Sequence, residues 1–298
     1  MIFSSQTIVK TSVSNAVKSV LMGGAFLVAM TGSAQAVDIT PSLALGATGW
    51  STDRYDPSSF ANVGNFAGRN NVLGIGISTA DGRAVRPSYF GESSFYNVQG
   101  KIQAITGGAG STLAADLYIE NSWSNSENGN VRTDLWGGTT DDTRSSTNMY
   151  DHRVGYPRIG FTNYGTGGAR LRVSDDSVDG GWVNLNTTVN YGSWVGLSMT
   201  YTGSSIVYAV NGATVYTDNS IDDDSTVPVG FSDVYLQAYN FNDTAANTLV
   251  PGAFGGNYTV HWTNAMAQPV PEPETYALML AGLIGVGVVA RRRKQKNA

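Results

Sequence analysis

The 298 residues contain no cysteine. That excludes disulfide bonds, thiol nucleophiles and zinc sites built on cysteine. Histidine occurs twice, at His152 and His261. Two are too few for an all-histidine catalytic zinc site, and neither lies in an H-E-x-x-H pattern. There is no G-x-S-x-G elbow, and no glycine-rich phosphate loop between a strand and a helix. Positive charge is scarce as well. The chain has 18 Lys+Arg against 23 Asp+Glu, and seven of the basic residues lie in its two end segments. Val37 to Gln268 holds 11 basic and 21 acidic residues, a net charge of −10. An acidic body is not drawn to phosphate backbones, which excludes nucleic acid as a partner.

The ends carry the most legible signals. Lys10 and Lys18 precede an apolar run from Val20 to Met30, and "TGSAQA" follows. A positive start, a short apolar core and small residues at Ala34 and Ala36 make a secretory signal peptide over residues 1–36, cut by signal peptidase before Val37. At the other end, Tyr276 to Ala290 is uncharged and apolar for fifteen residues. That is short of the roughly 20 that cross a bilayer core as a helix, although a thinned bilayer or snorkelling arginines accommodate it. The basic residues after it stay on the cytoplasmic side, so the expected topology is a body outside and a short hydrophobic helix in the inner membrane.

Residues 269–298 resemble the PEP-CTERM sorting signal. The resemblance rests on Val270, Pro271, Glu272 and Pro273, then the apolar stretch, then Arg291, Arg292 and Arg293. The prolines keep the segment extended and remove two backbone donors, which makes a non-helical handle beside the membrane. The resemblance implies an exosortase as processing partner. It also implies a Gram-negative bacterium that makes exopolysaccharide, and a final place in the envelope, on the surface or in a biofilm matrix. It leaves the body's activity open.

Between the ends, short alternating runs recur between turn clusters. Strands are predicted over 71–78, 95–105, 112–120, 131–137, 157–164, 169–174, 182–186, 193–201, 205–210, 213–218, 234–241 and 257–264. The pattern predicts an all-β body over 37–268, a two-sheet antiparallel sandwich. In "SWVGLSMTYTGSSIVYAVNGATVYTD", Val195, Leu197, Met199 and Tyr201 alternate toward a core, and Asn211-Gly212 predicts a tight hairpin. With Trp194, Gly203, Tyr208 and Val210, this stretch resembles the concanavalin-like jelly roll, including laminin-G-like and legume-lectin-like modules.

Catalytic members of that fold resemble laminarinases, with E-x-D-x-x-E or E-x-D-x-E on one strand. The body has only Glu92, Glu120 and Glu127, none in that pattern. Asp116 and Glu120 share a strand face about 13 Å apart, too far for a hydrolytic pair. The expected protein is therefore not an enzyme. It is a carbohydrate- or matrix-binding module whose partner is extracellular polysaccharide. A glycan hydrolase with an unrecognised carboxylate pair, and a purely structural matrix protein, stand as alternatives. Trp123, set among loop formers in "ENSWSNSENGN", is the predicted exposed sugar-stacking ring. Asp175, Ser177 and Asp179, followed by Gly180, form the first half of a calcium-type loop, so calcium is the candidate cofactor. The twelfth position is Asn186 rather than a bidentate glutamate.

Overall fold

The structure, a computed structural model, describes residues 37–38, 49–81, 86, 94–125, 129–141, 153–220, 228–242, 256–268, 282–284 and 286. Ala36–Val270 forms one compact unit, and Met1–Gln35 with Pro271–Ala298 another. The second lies almost wholly outside the described residues, as do the signal cleavage residues Ala34 and Ala36 and the tail residues Val270, Pro271, Glu272, Pro273, Arg291, Arg292 and Arg293. The expected signal helix falls there too, and only four tail residues, all helical, are described. Among the described residues, no helix is long and apolar enough to cross a membrane.

The body is the expected two-sheet antiparallel sandwich, its strands numbered in chain order. One sheet runs Ala213–Asp218 (β14), Ile206–Val210 (β13), Ser193–Tyr201 (β12), Thr112–Ile119 (β6), Tyr258–Gln268 (β16), Arg69–Ile77 (β4) and Ser59–Phe66 (β3), with Val37–Asp38 (β1) on β16. The other runs Trp182–Asn184 (β11), Arg170–Ser174 (β10), Arg158–Thr162 (β9), Arg132–Thr140 (β7), Gly230–Tyr239 (β15), Val98–Gly107 (β5) and Trp50–Asp53 (β2), with Arg153–Gly155 (β8) on β7. The chain crosses between the sheets from β1 to β2, from β2 to β3, at each step from β4 through β7, from β11 to β12, and at both steps from β14 through β16.

Alternation builds the core. Val195, Leu197, Met199 and Tyr201 of β12 point inward, as do Leu113, Ala115, Leu117 and Ile119 of β6. They meet Leu135, Ile159, Phe161, Leu171, Val173, Val234 and Leu236 from the second sheet. Trp262 of β16 is fully buried and crosses the layer, its indole N–H donating to Thr133 Oγ1 at 3.2 Å. Asn211 and Gly212 take φ of 51° and 79°, the two left-handed residues that a type I′ hairpin needs. The edges differ from the interior strands. β3 changes register twice against β4, and β14 once against β13. The other sheet ends on β11 and β2, of three and four residues.

Candidate functional site

An antiparallel sheet with a core on one side normally leaves its other side to water. The second sheet departs from this, because every residue of β15 is buried. Its inward residues Val234, Leu236 and Ala238 are apolar, while Asp233, Tyr235, Gln237 and Tyr239 alternate outward. The neighbouring strand β7 sends Leu135 inward and Arg132, Asp134 and Trp136 outward. β10 does the same with Leu171 and Val173 against Arg170 and Arg172. The outward face is therefore a layer of guanidinium, carboxylate, amide and aromatic groups.

Strand register arranges that layer in rows. One row runs Asn184, Arg172, Gly160, Asp134, Gln237, Gly100 and Asp53 across seven strands. Beside it, Arg158 pairs with Trp136, Trp136 with Tyr235, and Ser174 with Trp182. The two glycines give the first row its room. A Cβ on Gly160 would strike the Thr133 carbonyl oxygen and come within 2.7 Å of the Asp134 Cα. On Gly100 it would strike the Leu236 carbonyl and come within 2.9 Å of the Gln237 Cα. Gly160→Ala is expected to lower stability by about 1–3 kcal/mol through overpacking. Thermal unfolding followed by circular dichroism checks this, and an unchanged midpoint would contradict it.

The carboxylates on the face are engaged. Arg132 Nε donates to Asp134 Oδ2 at 2.8 Å, and Arg153 Nε to Asp233 Oδ2 at 2.7 Å. Asp53 accepts from Arg54 and from Gln237 Nε2, and burial raises its pKa. Burial works most strongly against the charge of Arg153, but its bond to Asp233, together with the electrostatic pull of Tyr235, Asp233 and Tyr156, outweighs that, and its pKa is raised. Arginines also cover the rings. Arg172 lies 3.6 Å from the centroid of Trp182, Arg158 4.8 Å and Arg132 4.9 Å. Cation–π contacts of this kind stabilise each guanidinium and fix the ring.

The predicted site residues fare differently. Trp123 is not an exposed ring. The loop formers around it wind into a 3-10 turn, Asn121–Ser124, which folds the indole back over the end of the core. There it is 4% exposed, stacks on Phe161 at 5.4 Å, and is unavailable to a sugar. Asp175 is buried, and both carboxylate oxygens accept hydrogen bonds. Oδ1 takes Ser177 N at 2.9 Å, Ser177 Oγ and Ser220 Oγ, and Oδ2 takes the Tyr216 hydroxyl. These bonds outweigh burial and hold its pKa below the usual carboxylate range. Asp179 stands exposed on the next turn. Among the described residues, no three acidic or histidine side chains gather closely enough to hold a metal ion.

Asp116 and Glu120 share the outer face of the first sheet and find separate partners. Asp116 bonds to Arg69 and accepts from Asn264 Nδ2 at 2.8 Å. Glu120 lies 3.4 Å from His261 Nδ1, while burial pushes the His261 pKa down and the Glu120 pKa up. His261 stacks on Phe66 at 3.8 Å, and Tyr118 and Trp194 complete that aromatic cluster.

Reading the sequence for carboxylate motifs missed the arginine face of the second sheet. The signal was present as alternation in "VRTDLWG", "ARLRVS" and "SDVYLQAY", where a charged or polar set interleaves with an apolar one.

Residues 269–294 match the family model described as the PEP-CTERM protein-sorting motif. The tail is a PEP-CTERM sorting motif. It marks an exported protein, with an exosortase as processing partner and the cell envelope or surface as destination. The PEP-CTERM match covers the tail alone and assigns nothing to the sandwich. No curated protein matches the chain. Solved structures similar to it include a Bacillus licheniformis β-glucanase, 13% identical over 80% of this chain and 99% of that one, with a TM-score of 0.42. A structure described as a native glycosidic hydrolase is 11% identical over 81% and 98%, at 0.46. A sialidase is 11% identical over 80% of this chain and 19% of its own length, at 0.44.

Proposed function

We propose that this PEP-CTERM protein is a component of the cell surface or exopolysaccharide matrix, and that its sandwich binds carbohydrate without cleaving it. One observation carries the reading: where the outward face of the second sheet is partly exposed, at Arg132, Arg158, Arg170, Trp182 and Asn184, it sets an aromatic ring among guanidinium and amide groups. Sugar sites use this inventory, with rings for apolar faces and planar polar groups for hydroxyls.

Backbone spacing works against a hydrolytic pair that includes Asp134. Asp53 on β2 and Asp134 on β7 share a row with two strands between them, three steps or about 14 Å of backbone separation. Asp233 lies four residues along β15 from the Gln237 that pairs with Asp134, about 13 Å away. Glycosidase pairs lie within about 9.5 Å. The hydrolase alternative has two favourable features. Burial raises the pKa of Asp53, which suits a proton donor. Ser220 Oγ bridges Asp175 Oδ1 at 3.2 Å and Asp218 Oδ1 at 2.9 Å, with the Asp218 pKa raised by burial and that of Asp175 lowered, against burial, by its hydrogen bonds. Asp53 Oδ2, however, already accepts from Gln237 and Arg54.

The test incubates the full chain, held in mild detergent, with immobilised polysaccharides and assays retention and new reducing ends together. Retention without reducing ends is the expected result. Reducing ends would establish a hydrolase, and neither signal would leave a structural matrix protein. A chelator is expected to leave retention unchanged, because both oxygens of Asp175 already accept hydrogen bonds.

A further inference from the structure

The arginines of the second sheet outnumber the acids that answer them. Around Trp182 sit Arg132, Arg158 and Arg172. Asp134 bonds to Arg132, and Asp176 lies 3.5 Å from Arg158 with its own side chain 47% exposed. Arg170, beside them on β10, is taken up by Asn184, Tyr164 O and Gly168 O. Arg172 is 8% exposed, and its Nε and Nη2 have no hydrogen-bond partner. Arg158 Nε is also without one. Asp134 Oδ1 and Gln237 Oε1, acceptors in the same row, are themselves unpartnered, so these donors and acceptors do not satisfy one another.

A guanidinium keeps its charge at neutral pH, so burying one without a counter-ion is costly. Burial, and then Arg132, press the Arg172 pKa down, which is the sign of such a cost. The same two influences act on Arg158. The spot is not part of a generally basic surface, because the body carries a net charge of −10. An anion brought to Arg158 and Arg172 would supply the missing acceptors. The planar fork of arginine matches the two oxygens of a carboxylate or a sulfate ester. The opening is at Arg132, Arg158 and Trp182, whose side chains are partly exposed.

We infer that Arg158 and Arg172, mounted on Trp182 with Arg132 beside them, form a subsite for the anionic group of an acidic polysaccharide, a uronate carboxylate or a sulfate ester. This rests on the carbohydrate-binding reading and names the class of polymer it takes.

The experiment compares alginate, dextran sulfate and neutral dextran as probes for the full chain in detergent at fixed ionic strength. The variants are Arg172→Met, Arg158→Gln and Arg172→Lys. The wild type is expected to bind at least one acidic polymer about tenfold or more tightly than dextran, and Arg172→Met and Arg158→Gln to lose about that factor. Arg172→Lys, which keeps the charge and loses the fork, is expected to fall between. Loss for alginate alone identifies the uronate, loss for dextran sulfate alone the sulfate, and loss for both the anionic group in general. If a variant fails to fold, competition on the wild type decides. Free galacturonate or sulfate is expected to displace the bound polymer, and galactose to have no effect. Equal binding of dextran and the acidic polymers, or full binding by folded variants, would overturn this inference and leave the carbohydrate reading intact. No binding to any polysaccharide would overturn both.

Discussion

Trp262→Ala is expected to lower the stability of the body by about 3–5 kcal/mol, the range for removing a large buried aromatic. The indole is fully buried in the middle of β16 and reaches across the layer to Thr133 of β7. Thr133 Oγ1 in turn donates to Gln237 O at 2.7 Å, so one chain of contacts joins β16, β7 and β15. Alanine would leave a void between the sheets and remove the donor that meets Thr133. A domain of this size typically has a total stability of about 5–15 kcal/mol, so the loss is a large share. Each kcal/mol moves the unfolding midpoint by roughly 2–4 °C. A urea titration followed by far-ultraviolet circular dichroism checks this, and the slope is expected to stay constant. Trp262→Phe, which keeps a ring and loses the N–H, is expected to cost less than half as much. A loss below about 1 kcal/mol for the alanine variant would mean the sheets are held elsewhere.

The second large effect is expected at Asp233. Its carboxylate accepts from Arg153 Nε at 2.7 Å and from Ser232 Oγ at 2.6 Å, and the side chains of Arg153 and Asp233 are 1% and 4% exposed. Asp233→Ala removes the carboxylate that bonds to Arg153 Nε and weakens the compensation of a buried guanidinium, a loss of about 3–5 kcal/mol at most. Arg153→Met with Asp233→Leu removes both charges and is expected to recover most of the loss. Chemical denaturation of the single and double variants gives the comparison. A double variant no more stable than Asp233→Ala would show that the damage comes from packing around β15 rather than from the orphaned charge.

Much of the architecture was legible because alternation and turn chemistry agreed. The meander Ser193–Tyr201, Ile206–Val210 and Ala213–Asp218 reads directly, since each strand sends alternate apolar residues inward and Asn211-Gly212 supplies the turn. β3 was missed because "SFANVGNF" is an edge, half-exposed throughout and bulged around Gly64, so no clean apolar face exists to detect. β16 runs four residues past its predicted end. A register shift between Thr263 and Met266, with Asn264 at φ 51°, breaks the alternation that the reading depended on. The candidate site was less legible. Trp123 looked exposed because its neighbours favour loops, yet loop neighbours do not decide where an indole points. The arginine face depends on register between strands distant in sequence: Asp134 and Gln237 are neighbours across β7 and β15, and sequence spacing alone does not reveal this.

The edges of the two sheets have a consequence for life outside the cell. An exported β protein gathered at a cell surface meets copies of itself at high local concentration. A long flat edge strand would then act as a template on which the next copy polymerises. Here β3 and β14 are kinked out of register, while β2 and β11 are too short to seed a ladder. Among the described residues, edges of this kind oppose strand-by-strand addition of further copies, so the body is built to stay a discrete particle rather than to grow into a fibre.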